Sequence, residues 1–465
     1  MTKLTNQPSL EAKLSKWDIL AYGCGGIATT AIATLKQQFA MKFMTDVAGI
    51  SAAVIGVWIM VVTIFDAIND PIIGGMSDRC NTKYGKYRPF MMVGVLLLGI
   101  AIVMQFIVPP LEGNALVAYY VVAMVLYSLA FTATCVPWQA LNSIMADDSN
   151  QRNLLLASRQ FLGFFSAAIV GMFTLALVNA FGGGKSGWIV AAVVFAVISI
   201  FTMFLASNGA KKKDYEGSIP TPAKISAKTQ FNSLVKNKAF VYAGLTFCMY
   251  TLATWVVSAA NIYYFESVVG DINLVATTSG IMLLSNFIIV PIMPPLIKKF
   301  GKKLTFTISM MILLVRPVAL IFLGAGASAG LVTVLTAITN AGGVMANFSV
   351  LSMIPDCIDF DEYTSGAKSA GLVNSGLTFM QKFGGSFSTL IVGMVLDMSG
   401  YAAGAAITPQ VTAGILSTVT WIPIIITIIS LVFIKLYPIS SKFEKEMRAE
   451  LAVRRAAAKE AGTVK

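Results

Sequence analysis

The chain has 465 residues, 56% of them hydrophobic and 12% charged, with a net charge of +12 and no histidine. Soluble domains carry about 25% charged residues, so the composition excludes an ordinary soluble protein and defines a polytopic membrane protein. It also excludes a nucleic-acid partner, because no soluble domain remains to present the basic surplus.

Without histidine there is no Ser-His-Asp triad, no imidazole metal ligand and no imidazole proton relay. Cys24, Cys80, Cys135, Cys248 and Cys357 are scattered and form no CxxC pair, so neither a disulfide framework nor a structural metal site is expected. No catalytic constellation and no nucleotide-binding glycine loop is present, so the chain does not read as an enzyme and no cofactor is expected. Gly182-Gly183-Gly184-Lys185 lacks the P-loop pattern and reads as a turn.

The segment up to Lys16 is mostly polar, and the apolar run behind it is too long for a signal-peptide core, so the N-terminus is expected to be retained. Helix I is predicted over Trp17–Phe43, small-residue-rich at first and then carrying Lys36, Gln37, Gln38 and Lys42. Helix II begins in the apolar run Ile50–Ile73, long enough to cross a bilayer. A basic loop follows with Arg79, Lys83, Lys86 and Arg88. Helices III (Phe90–Val108), IV (Leu116–Trp138), V (Leu154–Val178, with Arg159) and VI (ending near Ser207) complete a first group. Residues 208–238 hold Lys211-Lys212-Lys213, Pro220 and Pro222 and read as a linker between halves.

Helices VII (Phe240–Phe265), VIII (Val275–Ile297), IX (Leu304–Leu323), X (Leu331–Ile354), XI (Gly371–Leu396) and XII (Thr412–Leu436) form a second group. Residues 438–465 mix Lys, Arg, Glu and Ala and read as a solvated helix able to rest on anionic lipid. Lys and Arg gather in alternate loops, while Asp46, Glu112, Glu266, Asp271 and Asp397 occupy the opposite ones. Twelve spans with both termini cytoplasmic satisfy the positive-inside rule. The expected domains are a six-helix half over 1–207, the linker, a second half over 239–437 and a tail over 438–465. Tyr84-Gly85-Lys86 after helix II and Phe300-Gly301-Lys302 after helix VIII occupy equivalent loops, which argues for a parallel six-plus-six repeat. In such folds the substrate sits near the midplane between halves.

Charges inside spans point to function, because each costs on the order of 2.5–3.5 kcal/mol to insert. Asp66 and Asp70 lie four residues apart in helix II, on one face and one turn from each other, with Asn69 beside them. Two carboxylates there need a partner. A coupling cation or proton is one candidate; a structural pair with buried Lys or Arg is the other. Arg159 and Lys382 fit either as charge partners or as substrate anchors. Lys36 with Gln37 and Gln38 suits hydroxyls or an acid group on a substrate, or hydrogen bonds between helices. Lys42 reads as a snorkelling residue at the outer interface. Trp255 on helix VII can stack on a sugar face. Arg316, followed by Pro317, fits a helix kink or a lipid-facing defect as well as a role in transport.

The stretches FDAINDPIIGG, NTKYGKYRPF and FMQKFGGSF, in a twelve-span layout, resemble the glycoside–pentoside–hexuronide:cation symporters of the major facilitator superfamily, over Leu14–Phe443. The resemblance implies the all-α major facilitator fold, and Asp66 and Asp70 as ligands of Na+, Li+ or H+, with Asn69 and Thr132 as polar neighbours. It implies Arg159 near the sugar and Lys382 in contact with the cation-site carboxylates. It also implies import through alternating access; the expected location is the inner membrane of a bacterium and the expected state a monomer.

Melibiose-type members grip sugar hydroxyls with aspartates on helices I and IV, and the matching positions are Thr30 and Cys135. Their helix X and helix IV tryptophans are matched by Asn347 and Gln139, the latter next to Trp138. Thr378, one turn before Lys382, completes the candidate substrate contacts. A cavity with fewer carboxylates and added lysine favours an anionic sugar such as a glucuronide or hexuronide. The alternatives are a neutral glycoside or pentoside symporter and an uncoupled facilitator or exporter of polar or amphipathic compounds.

Overall fold

The computed structural model describes residues 14–80, 82, 84–145, 149–210, 235–365, 370–402 and 404–460. The expected linker lies mostly outside these residues, as do Lys83, Asp147 and Asp148.

Among the described residues, twelve helices have the length and apolarity to cross a membrane. They are α1 (Lys16–Asp46), α2 (Ala52–Ser77), α3 (Arg88–Gln105), α4 (Gly113–Asn142), α5 (Leu154–Ala180) and α6 (Gly184–Gly209). Then follow α7 (Lys238–Val269), α8 (Leu274–Phe300), α9 (Lys302–Gly326), α10 (Ala329–Thr364), α11 (Gly376–Ser399) and α12 (Pro409–Leu436). A further helix, α13, spans Ser441–Glu460. The spans expected from the apolar runs are all present. Their ends differ: α10 runs ten residues past the expected Ile354, because helical hydrogen bonding continues through polar turns that hydropathy does not register.

The helix ends follow from local chemistry. Ser15 and Asp18 form a reciprocal capping box at the start of α1. Asn237 accepts from the Phe240 amide at the start of α7, and its side-chain nitrogen donates to the Cys357 carbonyl at 2.9 Å, so the cap also ties α7 to α10. Gly301, at φ 77°, closes α8 in a conformation that L side chains rarely adopt. In hydrocarbon every backbone group must be satisfied within the segment, and helices meet that demand.

Contacts divide the chain into two units, Met1–Phe43 with Ile68–Pro222, and Met44–Ala67 with Ala223–Lys465. Within the first, α1 packs on α5 and α6, and α3 packs on α4 and α6. Within the second, α7 packs on α11 and α12, and α9 packs on α10. The same pairings recur six helices later, and α1 and α7 each carry a π-helical stretch, at Lys36–Ala40 and Tyr264–Val269. Such bulges are frequent at functional sites.

The two basic loops each brace their own unit. Arg88 Nε donates to the Ser207 carbonyl at 2.7 Å and its Nη1 to the Tyr84 carbonyl at 3.0 Å. Lys303 Nζ donates to the carbonyls of Lys435 and Tyr437, while Lys302 Nζ lies 2.5 Å from Asp356 and 2.9 Å from Glu444.

Three expectations change. The tail is not solvated all round: Met447 and Leu451 of α13 are buried in a cluster with Phe240, Phe306, Met353 and Cys357. Their spacing of four places both on one helix face. Lys42 does not reach an interface, since only 6% of it is exposed. Arg316 faces no lipid: it is buried, and its Nη2 donates to Asn261 Oδ1 at 2.8 Å beside the rings of Tyr264 and Phe265. Its neighbour Pro317 removes an amide and crowds the carbonyl four residues back, at Leu313, where the regular helix of α9 stops.

Candidate functional site

The middle of α2 holds Asp66, Asn69 and Asp70. In the second unit, Lys382 Nζ on α11 lies 2.6 Å from Asp66 Oδ2, with side-chain exposures of 23% and 14%. The approach of α2 to α11 depends on glycine: a Cβ at Gly56 would come within 2.7 Å of the Thr389 carbonyl oxygen. In the first unit, Thr132 Oγ1 on α4 donates to Asp70 Oδ1 at 2.9 Å. Asn69 is buried, and its amide nitrogen has no hydrogen-bond partner among the described residues. A side-chain amide carries an acceptor and a donor on one rotatable group, so Asn69 can also offer an oxygen. Carboxylate, hydroxyl and amide oxygens are the ligands that hard cations take. The half-buried lysine offsets the cost of Asp66 without removing it from water.

The first unit also assembles two cations on aromatic faces. Lys36, at the start of the π-helical stretch of α1, places Nζ 4.2 Å from the Tyr127 ring centroid. Tyr127 in turn stacks with Phe131 at 5.7 Å. Arg159 on α5 lies 4.7 Å from the Trp138 ring, and Trp138 stacks on Tyr22 at 5.4 Å. A cation over a ring face is held by the ring quadrupole. One turn along α4, Gln139 is exposed and its Nε2 lies 2.9 Å from Cys135 Sγ, which is buried. Gln37 is half-buried beside Lys36. Thr30 faces Gly163 of α5, where a Cβ would lie 3.0 Å from Thr30 Oγ1. Thr30 therefore belongs to the seam between α1 and α5.

In the second unit, Trp255 on α7 packs against α11: a side chain at Gly385 would overlap its indole. Asn347 on α10 is half-buried, one turn beyond Gly343, whose carbonyl accepts from Tyr250 at 2.7 Å. Thr378 is exposed on α11, one turn before Lys382.

Reading the sequence missed the supporting aromatics. Tyr127 and Trp138 look like ordinary residues of an apolar helix, and their role depends on neighbours reached only through packing. A weak signal existed: Tyr127 and Phe131 share a face of α4 with Cys135 and Gln139 at spacings of four.

Two units with the same internal pairings, twelve membrane-spanning helices and polar groups lodged in mid-span define a membrane transporter of the major facilitator type. The fold matches the crystal structure of the nucleoside transporter NupG with a TM-score of 0.64 at 14% identity, covering 92% of this chain and all of that one. The chain belongs to the MFS/sugar transport protein family, whose pattern matches residues 21–441. It is 27% identical to the isoprimeverose transporter of Lactiplantibacillus pentosus, over 93% of this chain and 90% of that one. It is 26% identical to the glucuronide carrier protein homolog of Escherichia coli (strain K12), over 95% and 96% of the two chains. The resemblance read from FDAINDPIIGG and the loop after it is thus borne out at the level of the family: the chain is an integral membrane protein of a sugar-transport family, and that family is one of transporters, not enzymes.

Proposed function

We propose that this transporter is a symporter that couples the import of a sugar acid, of the glucuronide or hexuronide class, to the entry of Na+, Li+ or H+. The observation that carries the coupling is the set of oxygen groups gathered around the middle of α2, two carboxylates one turn apart with a hydroxyl and a side-chain amide. Asp66 lies 2.6 Å from Lys382, and Asp70 accepts from the Thr132 hydroxyl at 2.9 Å. Asp70 and Thr132 supply the cation's oxygens, with Asn69 as a further donor. The arriving charge offsets the carboxylate of Asp70, and the helix then crosses its cycle without that negative charge. Both termini face the cytoplasm of a bacterium in this reading, and the unit of function is the monomer.

The anionic preference draws support from Lys36 and Arg159, whose charges rest on rings, and from Thr30 and Cys135 in place of carboxylates. The similarity to a glucuronide carrier homolog points the same way. A second reading, a neutral disaccharide, draws on the equally extensive similarity to an isoprimeverose transporter.

Proteoliposomes loaded against Na+, Li+ or pH gradients and offered radiolabelled methyl glucuronide or isoprimeverose test both points. Gradient-driven accumulation of methyl glucuronide is expected in the wild type. Asp70→Asn is expected to abolish accumulation while equilibrium exchange persists. Cation-stimulated uptake that survives Asp70→Asn unchanged removes the coupling site, and accumulation of isoprimeverose alone removes the sugar acid.

A further inference from the structure

We propose that Trp138 is a positioning residue: its indole holds the Arg159 guanidinium in the orientation that meets the substrate. The proposal rests on the reading above that Arg159 contacts the sugar, and it assigns to Trp138 a role behind the site.

Trp138 is 1% exposed, so no substrate reaches its faces without displacing the protein around it. Its orientation is fixed twice. Nε1 donates to the Tyr22 carbonyl at 3.2 Å, and the ring stacks on the Tyr22 ring with an interplanar angle of 29°. The space it fills is provided by Gly25, where any side chain would overlap the indole. Arg159 is clamped at its other end. Its carbonyl oxygen would lie 2.5 Å from a Cβ at Gly26, so its backbone is pressed against α1 at a position that only glycine allows.

The long side chain between these two ends has many rotamers, and Arg159 makes no ion pair among the described residues. An arginine in a low-dielectric span without a carboxylate needs another source of orientation. The π face 4.7 Å away supplies it, because the planar guanidinium stacks as well as attracts. A carboxylate at that position would orient the arginine too, but it would cancel the charge meant for the substrate. The indole orients it and leaves the charge in place.

The test measures KM and Vmax per inserted transporter in proteoliposomes, with whichever of methyl glucuronide and isoprimeverose the wild type takes up faster. Trp138→Leu removes the π face and is expected to raise KM about tenfold, with Vmax within about twofold, while Trp138→Phe retains most of the wild-type KM. A role in folding alone would lower the amount of inserted protein and leave KM unchanged. Site-specific replacement of Trp138 by mono-, di- and trifluorotryptophan keeps the shape and weakens the π face stepwise, so it stays informative if the leucine variant does not insert. Log KM is expected to climb with each fluorine; a flat series overturns the proposal. Arg159→Gln separates the two ideas. If it raises KM while the Trp138 series is flat, the positioning role fails and the substrate contact stands. If Arg159→Gln leaves KM unchanged, the substrate contact fails and takes the positioning role with it.

Discussion

Asp66 and Asp70 lie one helical turn apart; an ammonium is 2.6 Å from the first, and a hydroxyl donates to the second at 2.9 Å. The ion pair is three-quarters or more buried on both sides, so its energetics follow the rule for buried pairs rather than surface ones. Removing one partner weakens the compensation of the other, at a cost of about 3–5 kcal/mol for a fully buried pair and less here because some water remains and each side chain keeps further contacts. Asp66→Asn and Lys382→Gln are therefore each expected to lower the thermal midpoint of the detergent-solubilised protein. The double variant should recover most of the loss, with a coupling of about 1–3 kcal/mol from the completed cycle. Additive losses would mean that the two side chains do not support one another. These charged residues were legible in the sequence because a carboxylate or ammonium in an apolar run stands out in one dimension. Trp138 and Tyr127 were not. Each lies in an apolar helix where an aromatic residue is ordinary, and its meaning arises only when α1 or α5 is laid alongside.

Among the elements, glycine sets how closely helices approach where no hydrophobic driving force brings them together, since lipid is as apolar as leucine. In the seam of α7 and α11, a Cβ at Gly384 would overlap the Cys248 carbonyl, a backbone atom that cannot swing away. At Gly343, on α10, the same atom would meet nothing within 4 Å. Gly384→Ala is expected to destabilise by about 1–3 kcal/mol through forced separation of the helices. Gly343→Ala is expected to change stability by less than about 1 kcal/mol, in the favourable direction that helix propensity gives. Thermal unfolding of the two variants side by side checks this; equal effects would show that the glycines matter for flexibility and not for approach. FMQKFGGSF was legible as a motif, but the sequence does not say that Gly384 and Gly385 are both contacts, on the Cys248 backbone and the Trp255 indole, while Gly343 of α10 is idle. The twelve spans and a kink at Pro317 were readable from the sequence, whereas the inward turn of Arg316 to Asn261 depends on a neighbouring helix.

At the scale of the molecule, α13 is the element whose removal should be most costly for its size. It combines two kinds of contact. Met447 and Leu451 are buried against residues of α7, α9 and α10. Arg448 Nη2 lies 3.0 Å from Asp356 and 3.1 Å from Glu444. Arg448 is about half exposed, so solvent screens it and its ion pairs contribute at most about 1 kcal/mol. Asp356 also keeps Lys302 at 2.5 Å when Arg448 is lost. The apolar pair therefore decides the outcome. Leu451→Ala is expected to destabilise by about 2–5 kcal/mol, the range for emptying a buried leucine site. Arg448→Ala should fall within about 1 kcal/mol of the wild type. Ending the chain after Ser440 should lower the thermal midpoint by at least as much as Leu451→Ala. If Arg448→Ala proves the more damaging substitution, the helix is held by charge and not by burial, and its attachment would then weaken with added salt. Stability measured at low and high ionic strength separates the two, because screening acts on the exposed guanidinium and leaves Met447 and Leu451 untouched.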